Sequence, residues 1–162
     1  MKLRYVTLIS ILLFLLQTTL LQYFRIGGVI PNTSLIFIIL MTVLYGKSEG
    51  LLSAVLLGGF QDIFLSKALC MNLLIYLAIS ACLILIDDKI FKNNYTAPII
   101  IFVSTTIIYN LLYGMFLFFM NDQINYSRSF IEIIPIEVIY NTLIGVFIYK
   151  KLFKRVFGYE LR

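Results

Sequence analysis

The stretch APIIIFVSTTIIYNLLYGMFLFFM, residues 97–120, contains no charged side chain. It exceeds the roughly 20 residues that a helix needs to cross a bilayer. The rest of the chain has the same character, since 61% of its 162 residues are apolar and 13% are charged. Soluble domains are about 45–50% apolar and about 25% charged. The composition therefore predicts a single integral membrane domain, residues 1–162, with no room for a soluble catalytic domain.

Outward from this stretch, apolar segments separated by short polar connections predict six spans. The predicted spans are residues 5–24, 32–45, 50–65, 68–86, 97–120 and 130–149, followed by a basic cytoplasmic tail at 150–162. The first follows a basic start, as a signal peptide would, but it is too long and lacks a small-residue cleavage site. We interpret it as a retained helix. The predicted fold is an all-α polytopic membrane protein, a six-helix transmembrane bundle.

The second and third spans are short. Their 13 to 16 residues cover about 20–24 Å, against about 30 Å for the hydrocarbon core. We expect a thin hairpin of helix 2 and helix 3 that is shielded by the rest of the protein. The alternative is a hairpin that re-enters the membrane from one side.

Positive charges decide the predicted orientation. With six spans, ten of the 13 Lys and Arg residues fall on the side of the termini. These ten are Lys2, Arg4, Lys47, Lys89, Lys92, Lys150, Lys151, Lys154, Arg155 and Arg162. The positive-inside rule then places both termini in the cytoplasm, and a re-entrant hairpin would not change this. The net charge of +5 is thus explained by topology and contact with membrane lipids, and no nucleic-acid partner is expected.

The composition also excludes several chemistries. The chain has no His, so an imidazole triad, a proton relay through His and a His metal site are absent. Cys70 and Cys82 would lie about 18 Å apart on one helix, too far for a disulfide. No phosphate-binding glycine loop and no G-x-S-x-G nucleophile motif occurs. We therefore expect no catalytic, metal-binding or cofactor-binding residues.

Small residues form a stripe along the third helix. Gly46, Gly50, Ala54, Gly58 and Asp62 come one after another at steps of four, which keeps them on one helical face. Such stripes let a second helix approach closely. The carboxylate of Asp62 is either hydrated near the outer interface or bonded to a neighbouring helix, which it could cap. A contact with a transported ion or substrate is a third alternative.

The sixth helix carries a second polar cluster. Glu137 and Asn141 lie four residues apart, so one side chain can hydrogen-bond the other. Pro135 precedes them near the helix start, where proline is tolerated. We expect a polar knot that packs the sixth helix, with the Tyr109-Asn110 pair of the fifth helix as a candidate partner. A contact with a ligand or a partner protein is the alternative.

Four sequence features, spread over nearly the full chain, resemble the MreD family of bacterial rod-shape-determining proteins. They are Pro31-Asn32 before the second helix, Gly58-Gly59-Phe60-Gln61-Asp62 at the end of the third, Leu69-Cys70-Met71-Asn72 before the fourth, and Pro135-x-Glu137-x-x-Tyr140-Asn141 in the sixth. The family usually has Asp at the position of Asn32 and Gly at that of Cys70. Because Cys disfavours positive φ, we expect the turn before the fourth helix to differ from the family's.

The resemblance implies a non-enzymatic scaffold of the bacterial cell-elongation machinery in the cytoplasmic membrane. MreD-like proteins help maintain cell shape by linking MreC and MreB to peptidoglycan synthases of the RodA and class B penicillin-binding type. The candidate helix-packing or partner-contact residues are Pro31, Gly50, Ala54, Gly58, Asp62, Pro135, Glu137, Tyr140 and Asn141.

The MreD bundle is similar to that of S components, the substrate-binding subunits of energy-coupling-factor transporters. The alternative function is therefore an S component. Such subunits usually dock through an A-x-x-x-A motif on the first helix, and residues 5–24 contain no alanine.

Overall fold

A computed structural model describes residues 3–65, 70–87, 96–120 and 132–158. Within these ranges the chain forms six α-helices and no β-strand. The helices are α1 Leu3–Thr18, α2 Thr33–Leu40, α3 Lys47–Phe64, α4 Met71–Asp87, α5 Thr96–Phe119 and α6 Ile134–Phe157. The all-α fold class is confirmed.

The short helix α2 lies at the centre of the bundle. A π-helical turn, Met41–Tyr45, extends it, and every residue from Ser34 to Leu40 is buried. A helix that is apolar on all sides is stable only when other elements surround it, and α2 contacts each of the other five helices. The short helix α2 is thus shielded by protein on all sides.

The start of α2 is fixed by Asn32 rather than by Pro31. Asn32 is the N-cap, and its side-chain oxygen accepts a hydrogen bond from the backbone N–H of Leu35 at 3.0 Å. Because the cap fixes the first turn, α2 begins at Thr33 and Pro31 lies before the cap, where it is buried.

Successive helices run in opposite directions. Gln17 near the end of α1 bonds Ser34 at the start of α2, and Asp62 near the end of α3 bonds Asn72 at the start of α4. Glu137 at the start of α6 meets the second half of α5. We call the end of the bundle that holds Asp62 and Glu137 the network end. The opposite end holds the start of α3 and the basic last turns of α6.

Helices α5 and α6 pack antiparallel through residues at steps of four. The facing pairs are Asn110 with Glu137, Thr106 with Asn141, and Phe102 with Gly145. A Cβ atom on Gly145 would lie 2.6 Å from Cδ1 of Phe102, so the absence of a side chain permits this approach. The regular spacing sets the register that brings the polar pairs together.

Several predicted boundaries shift. Helix α3 begins at Lys47, three residues before the predicted third span, and its 18 residues make it longer than predicted. The α-helix of the first span ends at Thr18, because the hydroxyls of Thr18 and Thr19 bond back to the preceding turn and a 3₁₀ turn, Leu20–Phe24, comes next. At the other terminus, α6 runs on to Phe157 and ends at Gly158, whose φ of 74° suits a helix C-cap. The first part of the basic tail is therefore helical.

Helix lengths bear on the membrane prediction. Within the described residues, α5 is the one helix that is both long and apolar enough to cross a bilayer. Arg4–Thr18, Thr33–Tyr45 and Met71–Ile86 are apolar but shorter. The number of crossings remains an expectation from the sequence.

Candidate functional site

Polar side chains from all six helices meet at the network end, and we call this set the buried polar network. Its members are Gln17, Asn32, Ser34, Gln61, Asp62, Asn72, Tyr76, Thr106, Tyr109, Asn110, Glu137 and Asn141. All except Asn110 are buried. A buried polar group without a partner is destabilising, and here the helices supply one another's partners.

Asp62 caps helix α4 from the neighbouring helix α3. One carboxylate oxygen accepts bonds from the backbone N–H and the side-chain amide of Asn72, at 2.9 and 3.0 Å. The other accepts from the backbone N–H of Leu73 at 2.8 Å. With 5% of its surface exposed, Asp62 is not hydrated at an interface. Of the alternatives derived from the sequence, the second is the one observed: Asp62 is bonded to a neighbouring helix and caps it.

The turn before α4 contradicts one expectation. Cys70 adopts a φ of 66°, in the left-handed region that the sequence interpretation took to be unsuitable for Cys. The three hydrogen bonds from α4 to Asp62 fix the first turn of that helix, and the chain enters it through this conformation. Cys70 thus adopts a backbone conformation that favours glycine, and this conformation destabilises an L-residue by about 1–2 kcal/mol.

From Gly50 to Asp62 the small-residue stripe packs against other helices. Gly46 does not belong to this face, because it is the N-cap of α3 with a φ of 109° and a Cβ atom there would have no neighbour within 4 Å. A Cβ atom on Gly58 would lie 2.6 Å from Cα of Leu73 in α4, and one on Gly50 would lie 2.8 Å from Cα of Thr42 in the π-helical turn. Ala54, between them, is completely buried. The close approach at Gly58 brings the first turn of α4 within reach of Asp62.

Glu137 and Asn141 form the predicted pair and extend it. The Asn141 amide nitrogen lies 3.4 Å from one Glu137 oxygen, and Asn110 donates to the other oxygen at 3.1 Å. Asn141 also accepts a 2.8 Å bond from the backbone N–H of Asn32. The candidate partner Asn110 is confirmed, whereas Tyr109 bonds Asn72 instead. Asn141 thus ties α6 to the start of the central helix.

A second branch of the network was not predicted from the sequence. The hydroxyl of Tyr76 lies 2.9 Å from the Gln61 side-chain oxygen and 3.2 Å from that of Asn32. Gln61 donates to the hydroxyl of Ser34, which in turn bonds Gln17. Amide side chains inside apolar helices were the available signal, because each needs a partner that lipid cannot supply.

Pro135 and Tyr140 lie at the rim of the network. Pro135 occupies the first turn of α6 and is exposed, as its missing N–H permits. The hydroxyl of Tyr140 donates to the backbone oxygen of Phe24 at 3.0 Å. This bond ties α6 to the connection between α1 and α2.

A cavity of about 410 Å³ opens beside the network. It lies between α5, the start of α6 and the connection from α1 to α2. Its lining residues are Gln17, Gly27, Gly28, Val29, Ile30, Asn32, Tyr109, Asn110, Tyr113, Glu132, Ile133 and Glu137. Gly27 and Gly28 form a tight turn with φ of 58° and 83°, closed by two 3.0 Å backbone bonds between Ile26 and Val29.

The chemistry available to this site is limited. Among the described residues, no three His, Cys, Asp or Glu side chains group together to hold a metal ion. The carboxylates of Asp62 and Glu137 accept bonds from amide groups. The arrangement can fix helix positions and can receive a ligand in the cavity.

No family model, no curated protein and no solved structure matches the chain.

Proposed function

We propose that this chain is a non-enzymatic membrane scaffold of the bacterial cell-elongation machinery. It would help maintain cell shape by linking MreC-like and MreB-like proteins to peptidoglycan synthases of the RodA and class B penicillin-binding type. The proposal rests on the resemblance to the MreD family and on how the residues that carry that resemblance are used.

The observation that carries the proposal is that residues far apart in the sequence lie together in the structure. Asn32, Asp62, Asn72 and Asn141 come from four separate sequence features of the resemblance, yet they all belong to the buried polar network. Features that are scattered over the sequence thus serve one purpose, which is to hold six helices in a fixed arrangement. A fixed arrangement of helices is what a scaffold presents to its partners.

The proposal includes a bacterial cytoplasmic-membrane location, six crossings and both termini in the cytoplasm. The outer surface supports it: Tyr5, Leu8, Leu12 and Leu15 form one exposed apolar face on α1. Alternating helix directions also bring Arg4, at the start of α1, to the same end as the basic last turns of α6. Charge at one end and apolar bulk around the sides suit a bilayer.

The topology is testable with fusion reporters. Reporters placed after Arg162 and within residues 47–49 should both report a cytoplasmic position, because the positive charges concentrate on that side. A reporter inserted at Gly28 should report the opposite side. An extracytoplasmic signal from the C-terminal fusion would contradict the proposed orientation.

The scaffold function is tested by affinity purification from native membranes, with identification of the proteins that co-purify. Recovery of peptidoglycan-synthesis and MreC-like proteins supports the proposal. Gly59→Ala is a suitable control, because its Cβ atom would have no neighbour within 4 Å, so it should co-purify the same proteins as the natural chain. Loss of those proteins with Gly58→Ala alone would tie partner binding to the helix arrangement.

The second candidate function is a transporter S component, and the cavity is the observation in its favour. Against it stands the exposed face of α1, which carries bulky side chains where S components usually present alanines. Co-purification of a transporter ATPase pair in place of peptidoglycan-synthesis proteins would favour this alternative.

A further inference from the structure

The cavity at the network end has an unbalanced lining. Its lining includes the carboxylate of Glu137, and none of the lining residues in the described ranges is Lys or Arg. Glu137 is 8% exposed, and its hydrogen-bond partners within the described ranges are the neutral amides of Asn110 and Asn141. A carboxylate buried without a cation is unfavourable, so the cavity is suited to receive a positive charge.

Aromatic rings stand beside the acid. Tyr109 and Tyr113 line the same cavity and stack on each other, with ring centroids 5.8 Å apart and planes tilted by 27°. Tyr109 is buried and also stacks on Tyr76 with ring centroids 5.4 Å apart, whereas Tyr113 is half-buried. The faces of aromatic rings attract ammonium groups. A carboxylate next to tyrosine rings is the combination that proteins use to bind organic cations.

The size and the lining residues of the cavity suit an organic cation rather than a metal ion. A volume of about 410 Å³ falls in the range of small-molecule sites. A metal ion would need several close ligands, and the part of the chain that the structure describes holds no group of three His, Cys, Asp or Glu. The lining supplies the Glu137 carboxylate, amides and hydroxyls spread around a larger space.

We propose that this cavity binds the ammonium group of a small organic cation, with Glu137 as its counter-ion and the ring of Tyr113 beside it. The ammonium group can belong to a free amine or to a lipid headgroup such as ethanolamine. This inference goes beyond the scaffold function and does not depend on it. Failure to co-purify cell-elongation proteins would leave it untouched.

The test uses the full chain in nanodiscs of phosphatidylglycerol, with choline as the probe and its neutral isostere 3,3-dimethylbutan-1-ol as the control. Choline should raise the unfolding midpoint and the isostere should not. In Glu137→Gln the apparent affinity for choline should fall at least tenfold, because the amide keeps the shape and loses the charge. Glu49→Gln removes a carboxylate near the opposite end and should bind choline as the natural chain does.

A second arm identifies the source of the ammonium group. If choline has no effect, nanodiscs that contain phosphatidylethanolamine should stabilise the natural chain relative to phosphatidylglycerol alone, and Glu137→Gln should abolish that difference. This result assigns the site to a lipid headgroup. The proposal is overturned if neither ammonium source stabilises the protein, if the isostere acts like choline, or if Glu137→Gln responds like the natural chain.

Tyr113→Leu covers the case in which Glu137→Gln does not accumulate. This variant keeps the carboxylate and removes one aromatic face, so the response to the ammonium source that acts on the natural chain should weaken severalfold. An unchanged response would overturn the proposal.

Discussion

Asp62 and Glu137 are two carboxylates at the same end of the bundle, and each stands at one end of a series of residues at steps of four. Asp62 comes after the small-residue stripe of α3, while Glu137 comes before Asn141 and Gly145 along α6. Asp62 accepts three bonds, two of them from backbone N–H groups of α4. Glu137 accepts two bonds from side-chain amides and lines a cavity.

The difference lies in the kind of donor that holds each acid. Backbone N–H groups in the first turn of a helix have fixed directions, so Asp62 fits one arrangement of α3 and α4. Glu137 receives bonds from side-chain amides alone, and the Asn141 nitrogen lies 3.4 Å away, at the long end for a hydrogen bond, so less is lost when the side chain at 137 changes. We infer that the first acid is committed to the fold, whereas the second is available for a ligand.

The largest effect is expected at the stripe that delivers Asp62 to α4. Gly58→Leu should abolish most folded protein, because a side chain there meets the backbone of Leu73 and cannot be accommodated by a rotamer change. Overpacking typically destabilises by about 1–3 kcal/mol, and backbone contact should place this variant at about 3 kcal/mol or more. Fluorescence-detected size-exclusion chromatography measures the folded fraction.

Matched controls sharpen that test. Gly59→Ala adds a methyl group into open space on the next residue, and should leave the folded fraction unchanged or slightly higher. Leu56→Ile, on a half-buried position, should also be tolerated. Equal behaviour of Gly58→Leu and Leu56→Ile would show that the stripe does not pack against another helix.

The next effect compares the two acids through the same chemical change. Asp62→Asn replaces one acceptor oxygen by an NH₂ group that faces a backbone donor, and should destabilise by about 1–3 kcal/mol. Glu137→Gln should change stability by about 0.6 kcal/mol or less, because the amide keeps the shape and the bond from Asn110, and loses only the long contact with Asn141. Unfolding midpoints in detergent measure both. The comparison fails if Glu137→Gln is the more harmful change.

A smaller effect is expected from removing the Glu137 carboxylate altogether. Glu137→Leu should be worse than Glu137→Gln, by about 0.6–2 kcal/mol for each interhelical bond lost. From the sequence alone, a satisfied pair would predict that Glu137→Leu combined with Asn141→Leu partly recovers. The structure reverses this expectation, since Asn141 also holds the backbone N–H of Asn32. The double variant should unfold more easily than Glu137→Leu in the same assay.

The smallest effect is expected at Cys70, in the turn that precedes α4. Cys70→Gly should stabilise the protein by up to about 1 kcal/mol, because glycine adopts the left-handed conformation without strain. Cys82→Gly, inside α4, should destabilise it by a similar amount, about 1 kcal/mol. Thermal unfolding of the two variants side by side checks the contrast. A lower midpoint for Cys70→Gly would contradict strain at this turn.

Features set by local spacing were predicted well from the sequence. Steps of four placed the small residues from Gly50 to Gly58 on one face of α3. The same spacing paired Glu137 with Asn141. The burial of α2 is also explained by its sequence, since its run of apolar residues has no polar side to expose. These features depend on one helix at a time.

Features that depend on several helices could not be predicted in the same way. Spacing along α3 could not decide whether Asp62 was hydrated or capped α4, because that depends on where α4 lies. The links from Tyr76 to Asn32 and Gln61 join three helices and have no local pattern. The premise that Cys70 avoids positive φ was wrong because it considered backbone preference alone, without the three hydrogen bonds that hold the start of α4.

The enclosure of α2 has a consequence for how the chain is made. Asn32 leaves the ribosome early, yet its backbone N–H bonds Asn141, which is synthesised 109 residues later. Until then, the central helix has an unfilled place on the side where α6 will pack. A chain that stops before α6 would leave this polar group without its partner, and we expect proteases to remove such a chain. Completion of α6 is therefore the step that protects the first five helices from degradation.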